Sequence, residues 1–243
     1  VIILGPDSGD MACGEFGAGR MIEPAEIVVS IEEFFAVSSR LKGCRALVTS
    51  GPTHEPIDPV RYLANRSSGK QGHAIAAAMA RLGAETTLIT GPTHELDPPG
   101  VFVVRVETAQ QMFDACQKTL PADVAVCAAA VSDWRATTTK NKKIKKDGEP
   151  LGLSLTENAD ILKTLATASN GRPRLVVGFA AETGDVISQA QPKRATKGCD
   201  WIVANDVAPG TQTFGGSENT VHLITENNVE SWPSTVSYTH LRA

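Results

Sequence analysis

Asn65-Arg-Ser-Ser-Gly-Lys-Gln-Gly72 is the first stretch of this chain whose residue types could do chemistry. It leads into an alanine-rich segment with helical spacing, so its backbone N–H groups would open a helix and attract an anion. The glycines let a phosphate approach, and Ser67, Ser68 and Lys70 add hydroxyl donors and a positive charge. The spacing fits neither GxxxxGK[ST] nor GxGxxG, so a phosphate site and a capped helix with a glycine turn both stay open. The second stretch, Lys140-Asn-Lys-Lys-Ile-Lys-Lys146, holds five lysines in seven positions. It is a solvated face, a nucleic-acid patch, or a loop that closes on a triphosphate and offsets charge developing in a transition state. Asp133 follows an apolar run and could bind a nucleotide hydroxyl, hold magnesium or cap a turn. Lys193 and Lys197 would share one helix face, and Phe179 ends another apolar run; taken alone these are surface cations and a core ring. Cys13, in a glycine-rich stretch, is a proton donor or a small buried residue. The histidines His54, His73, His94, His222 and His240 show no ligand spacing, so no structural metal is expected.

The elements that must position these residues follow a strand–loop–helix rhythm from Arg45 onward. Apolar runs at 46–49, 85–90, 101–106, 124–130, 175–179 and 201–204 read as buried strands. Helices are expected over 68–82, 109–120, 159–168 and 186–197, the last interrupted by Pro192. Continuous apolar strands alternating with helices predict an α/β fold: a Rossmann-like, open, mostly parallel sheet with helices on both faces. Right-handed crossovers put every strand's carboxyl end on one side, where such sheets bind ligands. Residues 1–24 are glycine-rich and read as irregular, followed by a helix over 27–41. Gly51-Pro-Thr-His-Glu55 recurs as Gly91-Pro-Thr-His-Glu95, which reads as shared loop chemistry after two strands.

Composition narrows the function classes. With 243 residues, 42% hydrophobic, and a net charge of −4, the chain can bury a core and lacks a generally basic coat. That weighs against nucleic acid as a partner. No apolar run approaches the length of a membrane span, and five scattered cysteines without CxxC spacing point to a reducing, cytoplasmic setting. The chain begins without Met, and a piece of a longer protein is expected.

The motifs together resemble the phosphopantothenate–cysteine ligase family. The resemblance rests on Gly51-Pro-Thr-His-Glu-Pro-Ile-Asp-Pro-Val-Arg-Tyr-Leu-Ala-Asn-Arg-Ser-Ser-Gly-Lys-Gln-Gly72, Ala128-Ala-Ala-Val-Ser-Asp-Trp-Arg135, Lys143-Ile-Lys-Lys146, Val177-Gly-Phe-Ala-Ala-Glu-Thr183 and Ile202-Val-Ala-Asn-Asp-Val207. Upstream, the segment from Pro6 to Pro24 resembles the substrate flap of phosphopantothenoylcysteine decarboxylase. The order matches a bacterial bifunctional family of coenzyme A biosynthesis. The resemblance divides the chain into a decarboxylase remnant with linker (1–42), a ligase domain (43–233) and an atypical tail (234–243). It implies activation of 4′-phosphopantothenate by CTP as an acyl-cytidylate, then amide formation with cysteine. Lys143 would contact the triphosphate; Asn65, with Ser67 and Ser68, would hold the substrate side. Ala128, Ala129, Ala130, Asp133, Ala159, Asp160, Ile161, Leu162, Phe179, Lys193 and Lys197 would form the CTP site, with magnesium near Asp133. It further implies a homodimer through the ligase domain, a larger oligomer with the decarboxylase, FMN in the missing decarboxylase part, and Cys13 as that part's proton donor. Two readings compete: a Rossmann-type dehydrogenase, which lacks GxGxxG, and nucleic-acid binding through the lysine run.

Overall fold

The computed structural model describes residues 5, 7–10, 16–35, 39–146, 148, 150–206 and 218–236. The chain forms two compact units, Val1–Ser39 and Arg40–Ala243. In the first, β1 (Asp7–Asp10) pairs antiparallel with β2 (Phe16–Arg20), and α1 spans Pro24–Phe35. The stretch read as irregular thus contains a strand pair. The helix expected over 27–41 begins three residues earlier, because Pro24 is pre-set for a first helical position. Cys13 lies outside the described residues.

In the second unit, β3 (Arg45–Ser50) leads into a small hairpin, β4 (His54–Pro56) and β5 (Tyr62–Ala64), then α2 (Lys70–Arg81). β6 (Glu85–Thr90), β7 (Val101–Arg105), α3 (Ala109–Thr119) and β8 (Val124–Cys127) follow. β9 (Trp134–Ala136) pairs antiparallel with β10 (Leu155–Glu157), and α4 (Ile161–Ala166), β11 (Leu175–Glu182), α5 (Val186–Lys197) and β12 (Trp201–Asp206) come next. β13 (Glu218–Ile224) and β14 (Val229–Val236) close the described chain.

The central sheet has eight strands in the order β14-β13-β12-β11-β8-β3-β6-β7. Strands β7, β6, β3, β8, β11 and β12 run parallel, while β13 and β14 add antiparallel to one edge. Counting only the parallel strands in chain order gives 3-2-1-4-5-6, whose direction of winding reverses between β3 and β8. Alternating side chains go to opposite faces. Leu47, Ile89 and Ala125 pack with Met112 and Cys116 of α3 and Ile161 and Leu165 of α4. Val48, Leu88, Val126 and Val177 pack with Ala76 of α2. Val186 and Ala190 of α5 pack on Val176, Ala180, Ile202 and Ala204. The Rossmann-like, mostly parallel sheet with helices on both faces is present.

Local chemistry explains where boundaries shift. α2 starts at Lys70 rather than 68 because Gly69 sits in the left-handed region (φ 79) as its N-cap. Ser67 and Ser68 hydroxyls accept from the Gly69 and Lys70 amides and keep that turn out of the helix. β8 stops at Cys127, since the following residues bond elsewhere. Pro192 lies inside α5 without ending it. Asp185 caps one end by accepting from Ser188 N (3.2 Å), and left-handed Gly198 closes the other. The region from 234, read as an atypical tail, begins inside β14, which runs to Val236.

Candidate active site

The segments that follow β3 and β8, with α4, α5 and the end of β11, line a cleft of about 1160 Å³. It sits where the winding reverses, the place such sheets bind ligands. One wall is the segment from Asn65 to the first turn of α2, including Gly69, Lys70 and Gly72. Gly69 supplies no side-chain cap, so the N-terminal end of α2 meets the cleft without a protein acceptor from its N-cap side chain. Its partial positive charge suits an anion. Gly72 lies so close to the end of β3 that a Cβ there would stand 2.4 Å from Ser50 Oγ and 3.0 Å from Ser50 Cα. The same junction is bonded internally: Ser50 Oγ donates to Gly69 O (2.8 Å) and lies 3.0 Å from His73 Nδ1.

The second wall follows β8. Ala129 N donates to Thr49 Oγ1 (3.2 Å), Ala130 N to Gly51 O (2.9 Å), and Ser132 N to Thr53 Oγ1 (3.0 Å). Asn158 N donates to Asp133 O (2.9 Å), and Asn158 Nδ2 to Ser132 O (2.8 Å). Arg135 Nη1 donates to Asn158 Oδ1 (3.0 Å). Across the cleft, Asn65 Nδ2 donates to Val131 O (2.9 Å) and joins the two walls. The backbone from 128 to 133 is therefore fixed at nearly every residue, and Asp133 is presented at its tip.

The third wall comes from α4 and α5. Asp160 caps α4 by accepting from Lys163 N (2.9 Å) through Oδ1, and its Oδ2 meets Lys197 Nζ at 2.5 Å. Lys193 Nζ lies 3.2 Å from Glu182 Oε1. Both lysines line the cleft and stand in pairs that orient them before any ligand arrives. Gly178 lets α4 press on β11, where a Cβ would meet Leu162 Cδ2 at 2.5 Å. Arg66, Lys70, Lys193 and Lys197 line the cleft together with Asp133, Glu157 and Asp160, so opposite charges sit within one rim.

Asn65, Ser67, Ser68, Ala128, Ala129, Ala130, Asp133, Ala159, Asp160, Ile161, Leu162, Phe179, Lys193 and Lys197 all line this cleft. Lys143 does not: it is exposed, and its loop lies along the β4–β5 hairpin. Sequence reasoning missed the threonines of the repeated Gly-Pro-Thr-His-Glu segment. Thr53 holds Ser132, and Thr93 Oγ1 donates to Ser68 O (2.6 Å), so each copy tethers one wall. The repeat itself was the signal. The copies also touch, with a Cβ on Gly91 falling 1.7 Å from Pro52 O. Cys127 lines the cleft too, but burial pushes its thiol pKa well up, with Cys116, Cys199 and Asp160 adding to the rise, so it stays protonated. Among the described residues, no group of three or more His, Cys, Asp and Glu could hold a metal ion. No described helix is long and apolar enough to cross a membrane.

Known proteins resemble this chain in sequence and in fold. Residues 41–239 match the model of the DNA/pantothenate metabolism flavoprotein C-terminal domain. The chain belongs to this family. The coenzyme A biosynthesis bifunctional protein CoaBC of Escherichia coli K12 is 44% identical over 237 residues, covering 96% of this chain and 58% of that protein. CoaBC of Vibrio cholerae is 43% identical over 234 residues, covering 95% of this chain and 58% of its own length. The crystal structure of the C-terminal domain of a CoaBC protein superimposes with a TM-score of 0.70 at 37% identity, covering 84% of this chain and 93% of that one. The chain therefore spans somewhat over half the length of the curated relatives it matches.

Proposed function

We propose that this member of the flavoprotein C-terminal domain family is a phosphopantothenate–cysteine ligase, using CTP to activate the acid. The observation that carries the reading is the single rim where the α2 N-terminus, Asn65, Asp133, Lys193 and Lys197 converge at the sheet's winding reversal. A carboxylate resists amine attack at neutral pH, so an activating step is needed. A carboxylate oxygen of 4′-phosphopantothenate attacks the α-phosphorus of CTP, the bond to the β-phosphate breaks, and pyrophosphate leaves. The amine of cysteine then attacks the acyl carbon, the carbon–oxygen bond to CMP breaks, and the amine gives up a proton.

The chain's residues divide the work by wall. Lys193 and Lys197 sit where phosphate oxygens would displace Glu182 and Asp160 as partners, an exchange that keeps each ammonium paired. The fixed 128–130 backbone and Phe179 form the floor for base and sugar. Asn65, already joined to Val131, is placed to hold the acyl-cytidylate. Lys143 is assigned to the triphosphate from its loop. The described residues fit magnesium carried mainly by phosphate oxygens and water, with Asp133 the side chain that would touch it; bound there, the ion offsets phosphate charge.

The same reading makes residues 1–42 the end of an FMN-dependent decarboxylase with Cys13 as proton donor, and residues 43–233 the ligase. A homodimer is proposed through the ligase unit, supported by exposed Val60, Tyr62, Trp134, Leu151, Leu153 and Leu155 on and beside the two accessory strand pairs. A cytoplasmic setting fits Cys44, Cys116, Cys127 and Cys199 all being free thiols. The test is pyrophosphate release that requires both CTP and phosphopantothenate. Lys143→Gln is expected to slow it by about two to three decades in a folded protein; an unchanged rate refutes the lysine assignment.

A further inference from the structure

The lysine loop is bonded to the β4–β5 hairpin in a way a solvated basic run does not need. Thr139 Oγ1 donates to Pro56 O (3.2 Å), and Lys140 N donates to Ile57 O (2.9 Å). Further on, Ile144 N donates to Asp58 Oδ2 (3.1 Å), while Arg61 Nη2 donates to Ile144 O (3.0 Å). Both polar groups of one backbone residue are thus held by one ion pair. Asp58 Oδ1 accepts from Val60 N (2.8 Å) and Arg61 N (2.9 Å), and Oδ2 faces Arg61 Nη1 at 3.4 Å. Oδ1 serves the hairpin alone, and Oδ2 is shared between the loop and Arg61.

Asp58 is only 3% exposed, so these partners replace its water. Burial acts to raise its pKa, but the amides of Ile144, Val60 and Arg61 and the Arg61 charge outweigh it and hold the carboxyl below its ordinary value. The group stays an anion throughout the range in which an enzyme works. Arg61 immediately precedes β5 (Tyr62–Ala64) and Asn65 immediately follows it, at the start of the cleft's first wall. The clamp therefore ties the loop to the wall that carries Asn65.

We propose that Asp58 is a positioning residue: with Arg61 it clamps the Ile144 backbone and so fixes where Lys143, the preceding residue, leaves the hairpin. The proposal rests on the reading of Lys143 as the triphosphate contact. A lysine on an unanchored loop must be ordered at the moment of binding, and that entropy subtracts from any charge contact it makes. Anchoring the adjacent backbone removes most of that penalty while leaving the long side chain free to swing.

The test uses Asp58→Asn, Ile144→Pro and Lys143→Gln in the full chain. Ile144→Pro removes the loop's donor and leaves every hairpin bond of Asp58 in place. Tryptic cleavage after Lys142 and Lys145 is followed by mass spectrometry, with cleavage after Lys118 in α3 as the internal reference. Loss of the charge-assisted bond is expected to speed loop cleavage about tenfold in Asp58→Asn and in Ile144→Pro, with the Lys118 rate unchanged. The double variant should be no faster than Asp58→Asn alone, which already lacks the bond that Ile144→Pro removes. The KM for CTP should rise in both while the melting temperature holds. Unchanged loop cleavage in Ile144→Pro, or additive effects in the double variant, overturns the clamp. Should Asp58→Asn raise cleavage after Lys118 equally, it reports general unfolding and Ile144→Pro alone decides. Faster loop cleavage in Asp58→Asn and Ile144→Pro, with the KM for CTP unaltered in these and in Lys143→Gln, keeps the clamp and rejects the Lys143 assignment.

Discussion

Gly72→Ala tests whether the cleft needs α2 pressed against the end of β3. The added methyl would lie 2.4 Å from Ser50 Oγ, 2.5 Å from Ser50 Cβ and 3.0 Å from Ser50 Cα. Two of these are too close for any real Cβ, and although the Ser50 hydroxyl could rotate away, Ser50 Cβ is fixed to the backbone and cannot. The helix start must move outward by several tenths of an ångström. Overpacking of this kind costs about 1–3 kcal/mol. Alanine's better helix propensity returns up to about 1 kcal/mol, less in a first turn. A net loss of about 1–2 kcal/mol lowers the melting temperature by roughly 2–8 °C for a chain of this size. The functional loss should exceed the structural one if, as proposed, the α2 N-terminus receives phosphate oxygens. Isothermal titration with CTP and a thermal melt read the two effects separately. Ser50→Gly removes the two nearest atoms, so the double variant should recover part of the CTP affinity. A Gly72→Ala protein that melts higher and binds CTP unchanged would refute the close-approach argument.

Three further outcomes are expected. Lys197→Gln breaks the pair with Asp160 at a site that is only partly buried, so stability should change by less than about 1 kcal/mol. CTP affinity should nevertheless fall about tenfold by titration, as for any lost charge-assisted phosphate contact. Thr53→Val keeps shape but leaves Ser132 N without its acceptor inside the protein; unfolding in urea should show a loss of about 1–3 kcal/mol. Burial pushes the Cys116 thiol up to about 12. The unfolded thiol titrates near 8.5, so the protonated form's contribution is complete below that pH and is lost as pH rises toward the folded value. The urea midpoint should therefore drop between about pH 8.5 and 10.5, and Cys116→Ala should flatten that drop.

The parallel core was legible because buried strands carry unbroken apolar runs, and Leu47–Val48 or Leu88–Ile89 can only be covered on both faces. The accessory strand pairs were not. His54–Pro56 and Tyr62–Ala64 are three residues each, too short for any period, and their partner is fixed by tertiary neighbours such as the stacked His54 and Tyr62 rings, 3.9 Å apart. β13 and β14 escaped because their polar alternation, as in Glu218-Asn-Thr-Val-His-Leu-Ile224, lacks the continuous apolar signal of the parallel strands. Asp133, Lys193 and Lys197 were readable as charges after strands or on one helix face, but their pairing with specific carboxylates is a matter of distance in space. Lys143 shows the limit most clearly. Spacing could not show that the Ile144 backbone beside it is bonded to Asp58 and Arg61 of the hairpin.

The central claim is that one rim of this sheet lets an acid attack the α-phosphate of a bound triphosphate. Phosphopantothenate carrying heavy oxygen in its carboxylate, incubated with the protein, CTP and cysteine, reports that step directly by mass spectrometry. Heavy oxygen is expected in CMP and none in pyrophosphate, with one labelled CMP formed for each amide. Label in inorganic phosphate with CDP as the nucleotide product, or amide formation with unlabelled CMP, would contradict it.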